Sequence, residues 1–350
     1  MKPSYLRNYD LMRGIAAIVV MLFHSSAKWR QILPEGYLAV DLFFGLSGVV
    51  IAQSYGGRLL NGLSFARFAA IRLVRLYPLY LVGLAIGFSF YIARSDQLAV
   101  MGALLAGLLY LPIPVDIGSD SYILPLNGPA WSLFFEFAVN FGFALFLARL
   151  TNRLLLAIVL LSALLLAAAA IYVGDVDFGW TPHSLIGGFP RVAFSFGAGV
   201  LLYRFRPAQR QRSAVTLLLA ALTLGALALG PHRWDYDLPV VMILFPAMLW
   251  LGLAFQPAPL WDRLCRLCGE LSYPVYAIHW PLILYATEYS RGMAGVRLRL
   301  FWAAFYLGVL ALSWALVRLY DKPVRAYLER RMGLRAVHTA AGAEQRAAAF

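Results

Sequence analysis

Charged residues and cysteines are both scarce in this sequence. Asp, Glu, Lys and Arg make up 13% of the 350 residues, against roughly 25% in an average soluble domain. The two cysteines, Cys265 and Cys268, form a lone CxxC with no second pair and no histidine nearby. A structural zinc site needs four ligands, so we predict no metal site and expect two reduced thiols in a cytoplasmic loop.

The sequence is instead rich in long hydrophobic segments. Hydrophobic residues make up 61% of the chain, the mean hydropathy is +0.71, and long apolar runs recur without the alternation of a membrane barrel. No signal-peptide cleavage site is evident in the first apolar run. We predict an all-α polytopic membrane domain over residues 1–332 and a disordered cytoplasmic tail over 333–350. The ten predicted spans are Asp10–Ser26, Tyr37–Tyr55, Tyr77–Ala93, Ala130–Ala148, Leu154–Val173, Ser184–Tyr203, Ser213–Gly230, Leu238–Phe255, Ser272–Glu288 and Leu298–Tyr320.

The positive charge follows the loops. The net charge is +13, but the basic residues lie in short connections between spans, so we expect no nucleic-acid partner. With ten spans and both termini cytoplasmic, the inner segments hold 22 of the 30 lysines and arginines. The extra apolar run Leu98–Leu111 is short for a span, and if it crossed, the arginine-rich connector and the arginine-rich C-terminus would face opposite sides of the membrane. We predict that it forms a re-entrant or interfacial helix on the outer side, next to an outer loop over Pro112–Pro129.

The first span carries two ionisable residues, Arg13 and His24. They are eleven residues apart in the sequence, which returns a helix to within about 20° of the same face and separates them by about 16 Å. Ionisable groups inside a membrane are costly and are usually buried and functional. The simpler alternative is that Arg13 reaches a headgroup while His24 bonds a neighbouring helix.

Three more charged residues fall near the depth of His24, in the outer half of the membrane. With the orientation above, Asp41, Glu136 and Arg191 all lie within one or two helical turns of the same level. Each alone is explained by a satisfied structural contact, but four groups of mixed sign at one depth predict a shared polar cavity.

The inner side carries a basic connector instead. Arg67, Arg72 and Arg75 precede the third span, and the last two form an i, i+3 pair on one helix face. Guanidinium groups so placed can grip phosphates. The equally weighted alternative is that these arginines only hold this end of the span in the cytoplasm.

The chain resembles the membrane acyltransferase 3 family of bacterial O-acyltransferases. The resemblance covers residues 9 to 320 and rests on six segments that keep their order. They are YDLMRGIAAIVVMLFH, VDLFFGLSGVVIA, RLVRLYPLYL, WSLFFEF, PRVAFSFGAG and LSYPVYAIHWPL. The family moves an acyl group, most often acetyl, from cytoplasmic acyl-CoA to a sugar hydroxyl at the outer side. The resemblance therefore implies a multi-pass enzyme of the bacterial inner membrane, with acetyl-CoA as a donor substrate and a carbohydrate or lipid-linked glycan as acceptor.

The same resemblance assigns residues. Arg13 and His24 match the family's essential arginine–histidine motif, and Arg72 and Arg75 match the RxxR associated with the donor. Asp41 falls in the VDLFF motif, and Glu136 occupies the acidic position of WSLxxE. Gly45 and Val49 depart from the family pattern, which has bulkier residues there.

Acyl transfer to an alcohol needs a base, a site that stabilises the oxyanion and a grip on the donor. We assign His24 as the base, with Asp41 or Glu136 orienting it, and leave an acyl-histidine intermediate open. Arg13, Arg72 and Arg75 would bind the donor phosphates. Ser47 lacks the GxSxG surroundings of a nucleophile, so packing explains it better.

Secondary candidates and a rival function complete the prediction. His279 is expected nearer the inner side, with a structural or donor-side role, and Arg191 belongs to the outer charges. Trp131 is assigned to the outer aromatic belt or to stacking on a sugar. The rival is a transporter or flippase that uses the same charged cavity without acyl transfer, but no inverted repeat is apparent.

Overall fold

The computed structural model describes residues 6–113, 117–118, 122–207 and 211–334, and these residues form an all-α bundle. A three-residue parallel pairing of β1 (Gln211–Ser213) with β2 (Phe255–Pro257) is the exception within those ranges. The helices are α1 (Arg7–Ser25), α2 (Ala27–Ile32), α3 (Ala39–Ile51), α4 (Gly57–Leu60), α5 (Phe65–Tyr91), α6 (Gln97–Leu108), α7 (Trp131–Phe146), α8 (Asn152–Val173), α9 (Leu185–Arg204), α10 (Val215–Ala228), α11 (Trp234–Pro239), α12 (Phe245–Ala254), α13 (Asp262–Tyr289), α14 (Gly295–Leu316) and α15 (Lys322–Arg331).

Short 3₁₀ and π segments connect some of these helices. Three π-helical turns continue α3 into α4, α11 into α12 and α14 into α15, so each pair forms one longer rod. The π segments are Ala52–Gly56, Val240–Leu244 and Val317–Asp321, and the 3₁₀ segments are Gly36–Leu38, Pro125–Ala130, Leu147–Arg149 and Pro259–Trp261.

Seven helical segments in the described ranges are long and apolar enough to cross a membrane. They contain α3, α5, α7, α8, α9, α12 and α14. The other predicted spans are also helical, as α1, α10 and α13, but α10 has only 14 residues and α1 and α13 carry charged residues. The multi-pass helical fold predicted from the sequence is therefore confirmed, while ten crossings and the sidedness of the termini stay predictions.

The two histidine-bearing helices, α1 and α13, run parallel at the centre of the bundle. A Cβ added at Gly14 would lie 2.4 Å from Cys268 Cβ, so only glycine allows this approach. Farther along both helices, His24 lies beside His279. This close packing of α1 on α13 sets the level at which the two imidazoles meet.

A second close parallel pair joins α3 to α9. A Cβ at Gly48 would lie 2.1 Å from the Phe196 carbonyl oxygen, and one at Gly199 would lie 2.2 Å from the Gly45 carbonyl oxygen. Small residues at a helix interface allow backbones to approach closely. The departure from the family pattern at Gly45 therefore lies at this helix contact.

The bundle has an exposed apolar exterior. Only 28% of the apolar window of α8 and 17% of that of α14 are buried inside the protein. In a membrane protein such faces contact lipid rather than water.

The third predicted span begins earlier than its hydropathy indicates. α5 starts at Phe65, with the Ser64 hydroxyl accepting from the Arg67 amide as an N-cap, so Arg72 and Arg75 lie inside the helix. The expectation that they belong to a connector preceding the span is wrong. A hydropathy profile scores arginine as polar wherever its side chain points. The predicted span therefore stopped at Arg72 and Arg75, although both face the interior of the bundle.

The short apolar run and the tail also have defined positions where they are described. α6 has 12 residues, and beyond it Tyr110 adopts a left-handed backbone (φ 53°) and stacks on Tyr80 with ring centroids 4.0 Å apart. At the other end of the chain, an Arg67 guanidinium donates to the Gly333 carbonyl at 3.1 Å. The remainder of the predicted tail, 335–350, lies outside the described residues.

Candidate active site

A polar cavity of about 170 Å³ lies between α1, α3, α5, α7 and α13. The three arginines that the sequence assigns to donor binding all line it, although they come from two helices. Its polar lining consists of Arg13, Ser47, Arg72, Arg75, Ser132, Glu136, Ser272, Tyr273 and Tyr276. The structure therefore brings the predicted donor arginines together, while their role stays a prediction.

One carboxylate holds part of this cavity in place. An Arg72 Nη donates to Glu136 Oε1 at 2.7 Å, and the Ser47 hydroxyl donates to the same oxygen at 3.0 Å. The Nε of Arg72 is buried without a hydrogen-bond partner in the described part of the chain. Arg72 therefore keeps donor capacity that Glu136 does not use.

The other two arginines of the cavity have no acid bonded to them. Neither Arg13 nor Arg75 makes a hydrogen bond or ion pair with any residue that the structure describes. Two acids act on Arg75 electrostatically, but Asp10 is bonded to Arg7 and Asp321 to Arg325. Three guanidinium groups against one carboxylate make the cavity a place where an anion is stabilised.

Tyr276 connects this cavity to the histidines. Its hydroxyl donates to the Pro129 carbonyl at 2.6 Å and accepts from the Ser132 hydroxyl at 2.6 Å. Its ring centroid lies 5.8 Å from that of His279. Tyr276 is not among the residues predicted from the sequence, because nothing in its motif distinguishes a residue that lines a cavity from one that packs in the core.

His24 and His279 form a pair of imidazoles. His279 Nδ1 lies 2.9 Å and 3.1 Å from the carbonyl oxygens of Tyr276 and Val275, so it carries a proton, and Nε2 of the neutral ring is an acceptor. His24 Nδ1 lies 2.8 Å from the Val20 carbonyl and 3.3 Å from His279 Nε2, and donates to both. The neutral His24 ring then has an unprotonated Nε2 with no partner among the described residues.

This pairing corrects the expectation for His279. The predicted start of its span, Ser272, puts His279 nearer the inner side, away from His24, and this expectation is wrong. α13 begins at Asp262, ten residues before that predicted start, and its close packing against α1 brings the two imidazoles to one level.

Asp41 and Arg191 form a separate, closed ion pair between α3 and α9. Arg191 donates to both carboxylate oxygens at 2.7 to 3.0 Å and to the carbonyls of Tyr37 and Phe178 at 3.1 and 2.9 Å. Both side chains are 0% exposed. Such a pair, with its hydrogen bonds satisfied inside the protein, is what a buried charge requires to be stable.

The single outer cavity predicted for four charged residues is therefore wrong. His24 pairs with His279, Asp41 with Arg191, and Glu136 with Arg72. No hydrogen bond joins His24 to either acid within the described ranges, so the expected triad is absent. Equal depth along a membrane does not give lateral position, and helix packing distributes residues of one level into different interfaces.

Trp131 is also placed differently from expected. It is buried rather than part of an outer aromatic belt, and the Arg191 guanidinium lies 5.5 Å from the centroid of its ring. A tryptophan face stabilises a buried cation in this arrangement. Trp131 therefore packs against the Asp41–Arg191 pair, while its stacking on a sugar stays a prediction.

Comparison with known proteins gives a consistent set of matches. A family model for an acyltransferase domain matches residues 6–318. Protein 2 in the picA locus of Rhizobium radiobacter is 36% identical over 177 residues, which cover 46% of this chain and 92% of that protein. The putative membrane-bound transacylase BcsY of Komagataeibacter xylinus is 27% identical over 340 residues, covering 89% of this chain and 81% of that protein.

A third relative is longer than this chain. The O-acetyltransferase OatA of Staphylococcus aureus is 23% identical over 325 residues, which cover 82% of this chain and 52% of that protein. The matching region thus spans about half of OatA. No solved structure matches the chain.

Proposed function

Because the chain belongs to the acyltransferase family whose model matches residues 6–318, we propose that it is a membrane O-acyltransferase of the bacterial inner membrane whose donor is acetyl-CoA on the cytoplasmic side. The acceptor in this proposal is a hydroxyl group of a sugar or glycan at the outer side. The names of two relatives, a putative transacylase and an O-acetyltransferase, support acyl transfer as the reaction rather than transport.

The observation that carries the proposal is the double role of α1. Arg13 lines the cavity that it shares with Arg72 and Arg75, which we call the arginine cavity. His24 lies about 16 Å farther along the same helix, where it forms the histidine pair with His279. An extended acyl-CoA has the matching arrangement, with its phosphates at one end and its thioester-bound acyl group at the other. α1 would therefore hold the anionic end and the reactive end of one substrate.

The arginines supply the grip on the donor. The cavity places Arg13 and Arg75, which have no bonded acid, beside the spare donor of Arg72. Phosphate groups accept several hydrogen bonds from such a cluster, and each charge-assisted bond is stronger than a neutral one. The cytoplasmic position of this end rests on the positive-inside asymmetry.

His24 is the proposed base. Its Nδ1 proton is held by Val20 and His279, which directs the basic lone pair to Nε2. Nε2 takes the proton of the acceptor hydroxyl as its oxygen attacks the thioester carbonyl, and then returns it to the departing thiolate. His279 is a positioning residue in this scheme because it acts through the tautomer of His24.

Radiolabelled acetyl-CoA and purified protein test the proposal, with the methyl glycosides of glucose, galactose, mannose and N-acetylglucosamine as acceptors. His24→Gln keeps some hydrogen bonding but cannot act as a base, so transfer should fall by a factor of about 10² to 10⁴. His24→Ala should be inactive while still binding coenzyme A. His183→Gln changes an exposed histidine and is the matched control.

The pH dependence gives a second readout for the same residue. A base must be neutral to accept a proton, so wild-type turnover should rise with pH through the titration of His24. Purified His24→Gln that acylates its acceptor at the wild-type rate would contradict the assignment and make His279 the candidate base.

A further inference from the structure

Trp280 has a polar atom that the fold leaves unused. Its side chain is buried, with 8% of the residue exposed, and its indole Nε1 has no hydrogen-bond partner in the described part of the chain. Buried indole N–H groups usually find a partner. Trp180 follows that rule, since its Nε1 donates to the Asp177 carbonyl at 3.0 Å.

The unused donor lies beside the proposed base. The ring centroids of Trp280 and His24 are 5.3 Å apart and the two planes are nearly perpendicular. Trp280 follows His279 directly in the sequence, so the helix that orients His24 also positions this indole. An unpartnered donor and an unprotonated imidazole nitrogen therefore occur in adjoining rings.

A row of aromatic rings leads from Trp280 toward the surface. Tyr122 lies 5.3 Å from Trp280 and 5.1 Å from Trp180, centroid to centroid. Tyr122 and Trp180 are only partly buried, and the Ile123 amide donates to the Trp180 carbonyl at 3.0 Å, which ties their two segments together. We call Tyr122, Trp180 and Trp280 the aromatic track.

The aromatic track is distinct from the arginine cavity. None of its three residues lines that cavity, and the track carries no charged side chain of its own. The two groups of residues beside the histidine pair thus differ in chemistry: the cavity that Tyr276 lines is cationic, and the aromatic track is neutral. A cationic cavity suits a phosphorylated donor, and a neutral aromatic track does not.

We propose that the aromatic track is the acceptor subsite and that it takes a carbohydrate, an inference that rests on the acyl transfer proposed above. Aromatic faces pack on the C–H face of a pyranose ring, and a small number of placed polar groups orient the ligand. The Trp280 indole N–H donates to the oxygen of the acceptor hydroxyl. The hydroxyl in turn donates to His24 Nε2.

This arrangement gives a balanced transfer step. The hydroxyl proton passes to His24 Nε2 as the oxygen forms a bond to the thioester carbonyl carbon. The C–S bond then breaks, and the thiolate takes the proton from His24 to give the free thiol of coenzyme A. Trp280 exchanges no proton in this step and only orients the attacking oxygen.

Trp280→Phe removes the N–H donor and keeps an aromatic ring. The acceptor probe is the methyl glycoside that wild-type protein acetylates fastest, and the readouts are acceptor kcat/KM and coenzyme A affinity. We expect acceptor kcat/KM to fall about tenfold, which corresponds to one hydrogen bond. Coenzyme A affinity should stay within twofold, because Trp280 does not line the arginine cavity. Trp314→Phe, on the half-exposed face of α14, is the matched control.

A second variant tests the track itself. Tyr122→Leu should raise the acceptor KM several-fold and leave kcat nearly unchanged, because Tyr122 would contact the sugar away from the reacting hydroxyl. Acceptor kinetics within twofold of wild type for both variants would overturn the acceptor subsite. Equal losses of coenzyme A affinity and acceptor turnover would also overturn it. Failure of the wild-type protein to acetylate any glycoside would instead count against the proposed function.

Discussion

Two arginine–carboxylate pairs in this bundle have the same shortest distance and opposite surroundings. Arg191 and Asp41 approach to 2.7 Å and are fully buried, and every nitrogen of the guanidinium is bonded. Arg72 and Glu136 also approach to 2.7 Å, but they line a cavity beside two further arginines, and the buried Nε of Arg72 has no hydrogen-bond partner among the described residues. The Arg191 guanidinium is fully bonded to protein atoms, so we call Asp41–Arg191 the closed pair. Arg72–Glu136 lines a cavity with room for a ligand, so we call it the open pair and its cavity the open site.

The difference shows how to separate a structural ion pair from a binding site. A charge inside the protein needs a counter-charge and satisfied hydrogen bonds, and Arg191 has both. Positive charge in excess of its acids, as at Arg13 and Arg75, is instead the arrangement that an anion would complete, which is the basis of the proposed donor site. The count of unpaired donors thus distinguishes the two pairs where motif membership does not.

The largest expected effect comes from breaking the closed pair. Asp41→Ala removes the carboxylate that is bonded to the buried Arg191 and should destabilise the protein by about 3–5 kcal/mol, measured as thermal unfolding in detergent. Glu288→Ala is the control, because it removes the acid of the half-exposed Arg94–Glu288 pair and should cost less than about 1 kcal/mol.

A double variant separates charge from shape at this position. Asp41→Leu combined with Arg191→Met should recover much of the lost stability, since apolar residues can replace a buried ion pair. If Asp41→Ala unfolds at the wild-type temperature and only activity is lost, the structural role is contradicted and a catalytic one is favoured.

The next largest effect is expected in the open site. Arg75→Ala removes no hydrogen bond or ion pair with a described residue, so a loss of affinity without a loss of stability reports on the ligand. Arg72→Ala and Arg75→Ala should each weaken coenzyme A binding about tenfold to a hundredfold, as expected for charge-assisted hydrogen bonds, measured by calorimetric titration. Arg299→Ala, on the exposed face of α14, is the control. Unchanged affinity would reduce both arginines to topology markers.

The smallest effect should come from the acid of the open pair. Glu136→Gln keeps the volume and an oxygen for Ser47 but removes the charge that competes with a phosphate for Arg72. Stability should fall by less than for Asp41→Ala, because the pair lines a cavity and the amide oxygen still accepts from Arg72 and Ser47. Coenzyme A affinity should rise several-fold. A loss of stability as large as that of Asp41→Ala would remove the contrast between the two pairs.

Local features of the helices were predictable from the sequence. The periodicity of α1 puts Arg13 and His24 on one face. In the structure Arg13 lines a cavity together with residues of α13, and His24 lies beside His279 of the same helix. Long apolar runs identify the bundle in the same way. Each of these properties depends on residues within a few turns of one helix, so the spacing along the chain is sufficient to give them.

The pairing of the charges was not predictable. The sequence predicted a common depth in the membrane for His24, Asp41, Glu136 and Arg191. Depth does not say which neighbouring helix carries the partner, and the four residues form three separate pairs. The close approach of α3 and α9 through Gly48 and Gly199 brings Asp41 to Arg191, and that of α1 and α13 through Gly14 brings His24 near His279.

The sequence by itself determined the membrane class, the helical segments and the family to which the chain belongs, since hydropathy, helical period and motif order are properties of the linear chain. Only the tertiary structure decided that Asp41 is fully paired with Arg191 and that Arg13 and Arg75 line a cavity without a bonded acid among the described residues. It also decided that His279 and Trp280 lie beside His24. The physical reason is that an ionisable side chain can pair with any opposite charge at its level. The lateral packing of helices, set by contacts between residues far apart in the sequence, selects one.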